Sequence, residues 1–442
     1  VNTHATLLIT STNNAQIPIF KFNIQGLTLV ASDGTAVPVL TSPQVVELGS
    51  INGVARPLVA TDVPQGNYTS VKLSYGPSTF VVIDQSGGAG TTDTGNYNIG
   101  VAGNQTATVT LPLSTPLVIR GSAMGLLLNL NIPQSTTYVP YFAGSTNLTP
   151  DGGNTTFTPV YSLSGVTLAA QPSTIQDGKV EDVHGQVTTN SNGVLTIASD
   201  SGTSLSFSTS SSTVYSGVNA AGAPTAGNFV AVDAALQADG SMLATSVQTE
   251  GTTQPYNLIG QVLYSGQLEL ENTGREQQGP NLPNGTGFYG NNVMFSQTTP
   301  FVIAWPNGTA PAGLPFTPSL GPGSVGVGQN VATPVNAPQS VGNVIPVTAA
   351  VTLEPQTIDA TVAAVSTVNG LTSYQVTLFA NDLISIFGVS PNVVVYATAE
   401  THTITSSSLT SGSIGRFRGL LFNDGGTLRM VATEIEDGVP GS

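Results

Sequence analysis

The chain is cut into short runs by turn-forming dipeptides, and this restricts what it can build to strands. Asp33-Gly34, Asn52-Gly53, Asn192-Gly193, Asp239-Gly240, Asn369-Gly370 and Asp424-Gly425 recur along it, within a total of 50 Gly and 29 Pro. Apolar and polar residues alternate between them, as in Leu195-Thr196-Ile197, Leu205-Ser206-Phe207 and Gln375-Val376-Thr377-Leu378. A strand points successive side chains to opposite faces, so this alternation marks strands with one buried face. Asn-Gly and Asp-Gly supply the positive φ that a tight hairpin needs. No long stretch has the spacing of an amphipathic helix, and short helical turns are expected only near Pro43–Leu48 and Ala380–Phe387. The expected fold class is therefore all-β.

At 442 residues the chain exceeds a single ordinary core of about 100–150 residues. Residues 1–170 read as an Ig-like β-sandwich, with strands at Thr6–Thr10, Phe20–Val30, Gly66–Leu73, Phe80–Ile83, Thr106–Leu111 and Leu126–Ile132. Three small β-barrel-like repeat domains are expected after it, at 180–252, 256–355 and 357–438. The repeats open on Gly185-Gln186-Val187, Gly260-Gln261-Val262 and Ala360-Thr361-Val362. Each carries a threonine before a middle strand, at Thr213, Thr299 and Thr401, and each closes on an apolar strand, at Met242–Val247, Val347–Val351 and Leu428–Ile435. The middle repeat has two Gly-, Pro- and Asn-rich insertions, Asn272–Asn292 and Pro306–Pro322, expected to be held down by contacts.

Two resemblances follow from these runs. Ala5–Thr10, Phe22–Leu27 and the Pro64-Gln65-Gly66-Asn67-Tyr68 hairpin resemble an uncharacterised exported β-sandwich domain of bacteria, with Ser11-Thr12-Asn13-Asn14 where that family has an acidic turn. The repeats resemble a second bacterial domain of unknown function, through Gly227–Val232 and Asp239–Ala244 in the first copy and more loosely in the other two. The resemblance implies export and architecture, and brings no catalytic residue. The chain opens on Val1, which sets the expectation of a removed signal peptide.

Charged residues make up only 7% of the chain, against roughly 25% in ordinary soluble domains. With nine Lys plus Arg and a net charge of −15, the chain is a poor partner for nucleic acid or an anionic membrane. It has no cysteine, and no apolar run of transmembrane length. A Ser-, Thr-, Asn- and Gly-covered surface suits a protein that is glycosylated, packed against its own copies or exposed to an external medium. The Asn-x-Ser/Thr sites are Asn67, Asn104, Asn147, Asn154, Asn284 and Asn307.

Candidate chemistry is sparse. His4, His184 and His402 lack metal-ligand spacing. Asp177, Glu181 and Asp182 ahead of His184 form the densest ionisable cluster, a cation site or a solvated linker. Asp84 and Asp93 are candidate acids, but glycoside hydrolysis needs two converging carboxylates that spacing does not show. Trp305, the single tryptophan, fits a packing anchor as well as a sugar platform. No cofactor and no enzymatic activity are expected. The function expected is a structural subunit of an extracellular filament or surface layer, with copies of itself as partner and glycans as a further partner class. Such subunits would join by β-strand addition through Val1, Thr3, Ala5, Leu7 and Ile9 on one face of the first strand. The alternative is a monomeric cell-surface adhesin or polysaccharide-binding protein.

Overall fold

Short amphipathic strands expose unpaired backbone groups unless sheets close or pack, and the chain does both. The computed structural model describes residues 1–13, 17–84, 93–99, 106–137, 156–166, 168, 177–199, 201–218, 222–251, 256–272, 276–278, 291–305, 308–335, 345–347, 349–379, 382–386, 390–403 and 408–437. The fold is all-β, with two helices of a single turn each among the described residues. No helix among them is long and apolar enough to cross a membrane. The chain divides into two units, one of Val1–Thr213 with Val232–Thr245, the other of Val214–Ala231 with Ser246–Pro440.

The first unit begins with β1 (Asn2–Thr12), β2 (Ile19–Ala31), β3 (Ala36–Leu40), β4 (Gln44–Glu47), β5 (Arg56–Pro64), β6 (Gly66–Tyr75) and β7 (Ser78–Asp84). It continues through β8 (Asp93–Ile99), β9 (Ala107–Ile119), β10 (Ala123–Asn131), the helical turn α1 (Ile132–Ser135), β11 (Thr136–Thr137), β12 (Thr156–Phe157) and β13 (Tyr161–Val166). One sheet runs β13-β10-β1-β5; the other runs β8-β7-β2-β6-β9, with β3 and β4 also on β2. Phe20, Phe22, Leu7, Ile9, Leu126 and Leu128 share the buried core of this sandwich. β1 is an inner strand, parallel to β10 (Leu7 opposite Leu126) and antiparallel to β5 (Leu7 opposite Val59). Thr3, Ala5, Leu7 and Ile9 are fully buried, so the face offered as a subunit contact is spent within the chain's own unit, and only Val1 of that set is exposed.

Pro43–Leu48 is not a helical turn. Gln44–Glu47 is β4, antiparallel to β2 with Lys21 opposite Glu47. The side chain of Glu47 explains the bend that follows. Its Oε1 accepts the N–H groups of Phe20 (2.9 Å) and Gly49 (2.8 Å), and its Oε2 that of Ser50 (3.0 Å). A Cβ at Gly49 would lie 2.6 Å from the Pro18 carbonyl oxygen, which leaves room for glycine alone.

The remaining strands fall into three groups of one topology. The first is β14 (Lys179–Ser191), β15 (Val194–Ser199), β16 (Ser204–Ser208), β17 (Val214–Gly217), β18 (Phe229–Leu236) and β19 (Met242–Gly251). The second is β20 (Tyr256–Ser265), β21 (Glu269–Asn272), β22 (Glu276–Gln278), β23 (Asn291–Met294), β24 (Phe301–Ile303), β25 (Asn330–Val335), β26 (Ile345–Pro346) and β27 (Val351–Leu353). The third is β28 (Gln356–Val368), β29 (Leu371–Leu378), the helical turn α2 (Leu383–Ile386), β30 (Asn392–Thr403), β31 (Ile414–Asp424) and β32 (Thr427–Asp437). The third closes into a barrel in the order β28-β29-β30-β32-β31, with β30 parallel to β32. The first runs β16-β15-β14-β18-β19-β17, and the parallel pair Ser208 opposite Leu243 joins β16 to β19. In the second, β26 and β27 share the place of the last strand, parallel to β23 and β24 respectively. In the third group, strand three parallel to strand five, with strand four returning to strand one, makes a five-stranded Greek-key barrel of the OB type.

Local details repeat as well. The opening strand has a register shift just after Val187, Val262 and Val362. Gly227, Gly328 and Gly412 stand before the fourth strand at φ +91°, +89° and +90°. In each case the following side chain, on Asn228, Gln329 or Ser413, accepts the N–H of the residue three before it, Thr225, Gly326 or Thr410. The mid-repeat threonines have one task. Thr213, Thr299 and Thr401 accept the N–H of Ser210, Ser296 and Thr398, and the first and last also donate to the carbonyls of Ala244 and Ala432.

The second and third groups share a hydrophobic cluster within the second unit. Trp305 stacks on Phe422 at 5.7 Å, and Phe316 packs against Phe422 (5.6 Å) and Tyr396 (5.7 Å). Arg429 lies over the Phe316 ring and bonds Asp424 and the Tyr396 hydroxyl. The described part of the Pro306–Pro322 insertion is thus pinned through Phe316. Removing that ring leaves a void on Phe422, so Phe316→Ala should cost the second unit about 2–4 kcal/mol. Trp305 fluorescence, followed through a urea titration, reads the shift in midpoint directly. Loss of Glu47 acts on the other unit: Glu47→Ala strands three backbone N–H groups and should cost about 3–5 kcal/mol, measured by urea unfolding followed by far-UV circular dichroism.

Candidate functional sites

The described ionisable side chains gather mostly into rows where strands lie side by side. In the first unit the start of β14 carries the acids singled out in the sequence. Asp182 adopts a left-handed backbone, φ 57°, a conformation Asp tolerates better than most residues. Its N–H donates to Asp233 Oδ1 at 2.9 Å. Asp182 Oδ1 lies 3.3 Å from His184 Nε2, and Oδ2 lies 3.7 Å from the guanidinium of Arg56 on β5. Arg56 and His184 are buried. Glu181 pairs with Lys179 at 2.9 Å, and its N–H donates to the Ala55 carbonyl. Asp177, half-buried, stands just ahead of this strand. Glu181 and Asp182 therefore face cations of the chain itself, and a bound metal ion would have to compete with Lys179 and Arg56. Asp182 and Asp233 belong to one network although they are distant in sequence, and no local pattern signals that pairing.

The second unit holds two further polar groups. Glu250 and Glu354 are fully buried and accept hydrogen bonds from side-chain amides, Asn257 to Glu250 at 2.6 Å and Gln248 to Glu354 at 2.7 Å. In the third barrel, Asp359, Arg416 and Glu436 stand opposite one another across β28, β31 and β32. Arg416 Nε lies 3.0 Å from Asp359 and Nη1 lies 3.9 Å from Glu436. The next row holds Arg418 opposite Glu434, with His402 on the other side of Glu434. The i, i+2 spacing of Arg416 with Arg418, and of Glu434 with Glu436, was the available sequence signal for these rows. Burial pushes the Glu436 carboxyl above its usual range against the pull of Arg416.

Asp382 is the most perturbed acid of this barrel. It precedes α2, and its Oδ1 accepts the Ile384 N–H at 2.9 Å. Burial raises its pKa to about 7; the Ile384 N–H opposes the rise, and the negative charge of Asp359 adds to it.

The other sequence candidates scatter. His4, half-buried near the start of β1, lies 3.2 Å from Asp62. His402 joins the Glu434 row, so the three histidines enter three separate sets of partners. Asp84 and Asp93 are opposite in the β7–β8 register; their side chains lie outside the described residues. Asn67 is exposed at the start of β6, whereas Asn104, Asn147, Asn154, Asn284 and Asn307 lie outside the described residues. Trp305 is turned into packing against Phe422.

One open groove of about 570 Å³ lies in the first unit between β9 and β13, lined by Leu111, Leu113, Leu117, Met124, Tyr161 and Leu163 among others. The Tyr161 hydroxyl donates toward the carbonyls of Val71 (3.1 Å) and Val109 (3.2 Å), and burial raises its pKa to about 12. The groove lining carries no charged residue.

Residues 184–248 match the model of a domain of unknown function, DUF5666. No curated protein matches the chain.

Asp382 yields a signed pH dependence. Its folded pKa of about 7 lies above the ordinary value of 3.8, so the folded state holds the proton more tightly than the unfolded one. Its contribution to stability is fully present below about pH 4 and is lost as pH rises through 7, by up to roughly 4 kcal/mol at 1.36 kcal/mol per pKa unit. Between pH 4 and 7 the Trp305-detected urea midpoint should fall as pH rises, and Asp382→Asn should flatten that slope.

Proposed function

We propose that the chain is a non-catalytic structural subunit of an extracellular filament or surface layer assembled from copies of itself. The observation that carries this reading is one strand topology used three times, closed into a barrel at β28–β32, in a chain with 7% charged residues. Strand closure gives such a domain a stable body without disulfides, and a Ser-, Thr- and Asn-covered exterior can meet its own copy without like-charge repulsion. On this reading the second and third groups, β20–β27 and β28–β32, are diverged copies of the domain matched at 184–248, and the sandwich ahead of them is the exported bacterial type.

The placement of the reactive side chains supports the same reading. Arg56, Lys179, Arg416 and Arg429 pair with acids of their own unit. Trp305, Phe316 and Tyr396, which a glycan platform would present to solvent, pack on one another or on Phe422. Strand donation by β1 is not part of this proposal, because β1 already has a neighbour on each side.

Light scattering and electron microscopy of the purified full chain at micromolar concentration test the reading. Particles larger than the 44.9 kDa monomer, growing into fibres or sheets, are expected. A species that stays at 44.9 kDa across that range would remove it.

A further inference from the structure

Six strands of the two sandwich sheets have a single strand neighbour among the described residues, β5 and β13 on one sheet and β3, β4, β8 and β9 on the other. Natural edges are guarded by Pro, charge or bulges, since a bare edge recruits another strand. β5 contains Pro57, Pro64, Arg56 and Asp62; β3 contains Pro38 and β4 ends on Glu47; β8 begins at Asp93; β9 contains Pro112 and Pro116, with a register shift opposite β6 between Tyr68 and Ser70. β13, Tyr161-Ser162-Leu163-Ser164-Gly165-Val166, has neither proline nor charge. Among the described residues it pairs with β10 alone, without a register shift.

The apolar groove lies along this edge. Its far wall is β9, where Leu111 and Leu113 are half-buried and Val118 is 45% exposed. On β13 itself Tyr161 and Leu163 point into the core, while Ser162 and Ser164 are exposed. A strand laid beside β13 would complete its backbone hydrogen bonds and cover this wall.

We infer that the occupant is β13 of a second copy of this chain, paired antiparallel about a two-fold axis at Leu163, so that two four-stranded sheets become one. Charge decides for a second copy. The chain carries a net charge of −15 with few cations to complement its acids, and an isologous contact brings identical patches together, so an uncharged edge is the one that meets its own copy without like-charge repulsion. β13 is the edge that meets this condition in both its strand and its groove. In this register Ser162 stands opposite the partner's Ser164, with no like-charge pair to oppose association. The contact rests on the proposed self-assembly and supplies its first interface.

A charge-swap experiment on the full chain tests it. Ser162→Lys with Ser164→Lys sets lysines opposite lysines across the axis, and Ser162→Glu with Ser164→Glu does the same with acids. Both positions are exposed, so the β13–β10 pairing is retained. Sedimentation at micromolar concentration should show the wild type at twice 44.9 kDa or above and a dissociation constant raised at least tenfold in each variant. An equimolar mixture of the two variants should regain the wild-type association. If either variant alone associates like the wild type, edge pairing through β13 is overturned and self-assembly by another surface stands. A mixture that stays monomeric also overturns it, because the variants would then have failed for a reason other than opposed charge. A monomeric wild type removes both the contact and the assembly reading.

Discussion

Backbone hydrogen-bond closure is the constraint on which the rest of this structure depends. A chain of short strands exposes N–H and C=O groups along every sheet edge, and many proteins blunt those edges with lysine. With nine Lys plus Arg in 442 residues, this chain has little charge to spend there. Its solution is topological. In each of the three C-terminal groups the third strand runs parallel to the fifth, and the fourth returns to the first, so the edges largely disappear. Prolines guard β5 and β9 in the sandwich, which does not close. The repeated register shift after Val187, Val262 and Val362 and the glycine at φ near +90° before the fourth strand serve that same closure.

Closure also explains where the scarce charges lie. A side chain directed outward from a barrel strand meets its lateral neighbours, so Arg416 falls between Asp359 and Glu436. Arg56 of the sandwich and Asp182 of β14 make a comparable pair within the first unit. Such buried pairs are worth little against an apolar substitute, but breaking one partner costs about 3–5 kcal/mol. Asp382 is different in kind, since burial there works against its charge and favours its protonated form.

The large loops of the middle group fit the same economy. In its described part, the Pro306–Pro322 insertion contributes Leu314, Phe316 and Leu320 to a cluster built on Phe422 and Leu420 of the third barrel. An apolar anchor does for this loop what ion pairs would do in a more highly charged protein. Glu47 plays the corresponding part in the sandwich, drawing the turn after β4 back onto the Phe20 backbone.

Local chain chemistry by itself determined the all-β class, the hairpins at Asn192-Gly193 and Asn369-Gly370, both in left-handed backbone, and the helical turn within Ala380–Phe387. These depend on φ preferences and side-chain alternation, which act over a few residues. The repeated threonines were visible too, although their bonds to a closing-strand carbonyl were not. Only tertiary structure decided that β1 is an inner strand, that Pro43–Leu48 pairs with β2 rather than coiling, and that Arg416 stands between two acids. Each of these depends on which distant strand supplies the missing hydrogen bonds and buried surface. β1 and β10 are more than a hundred residues apart, and either could alternate equally well at an edge. Closing the sheets over one core selects the partner, and that selection is a property of the whole unit rather than of any run within it.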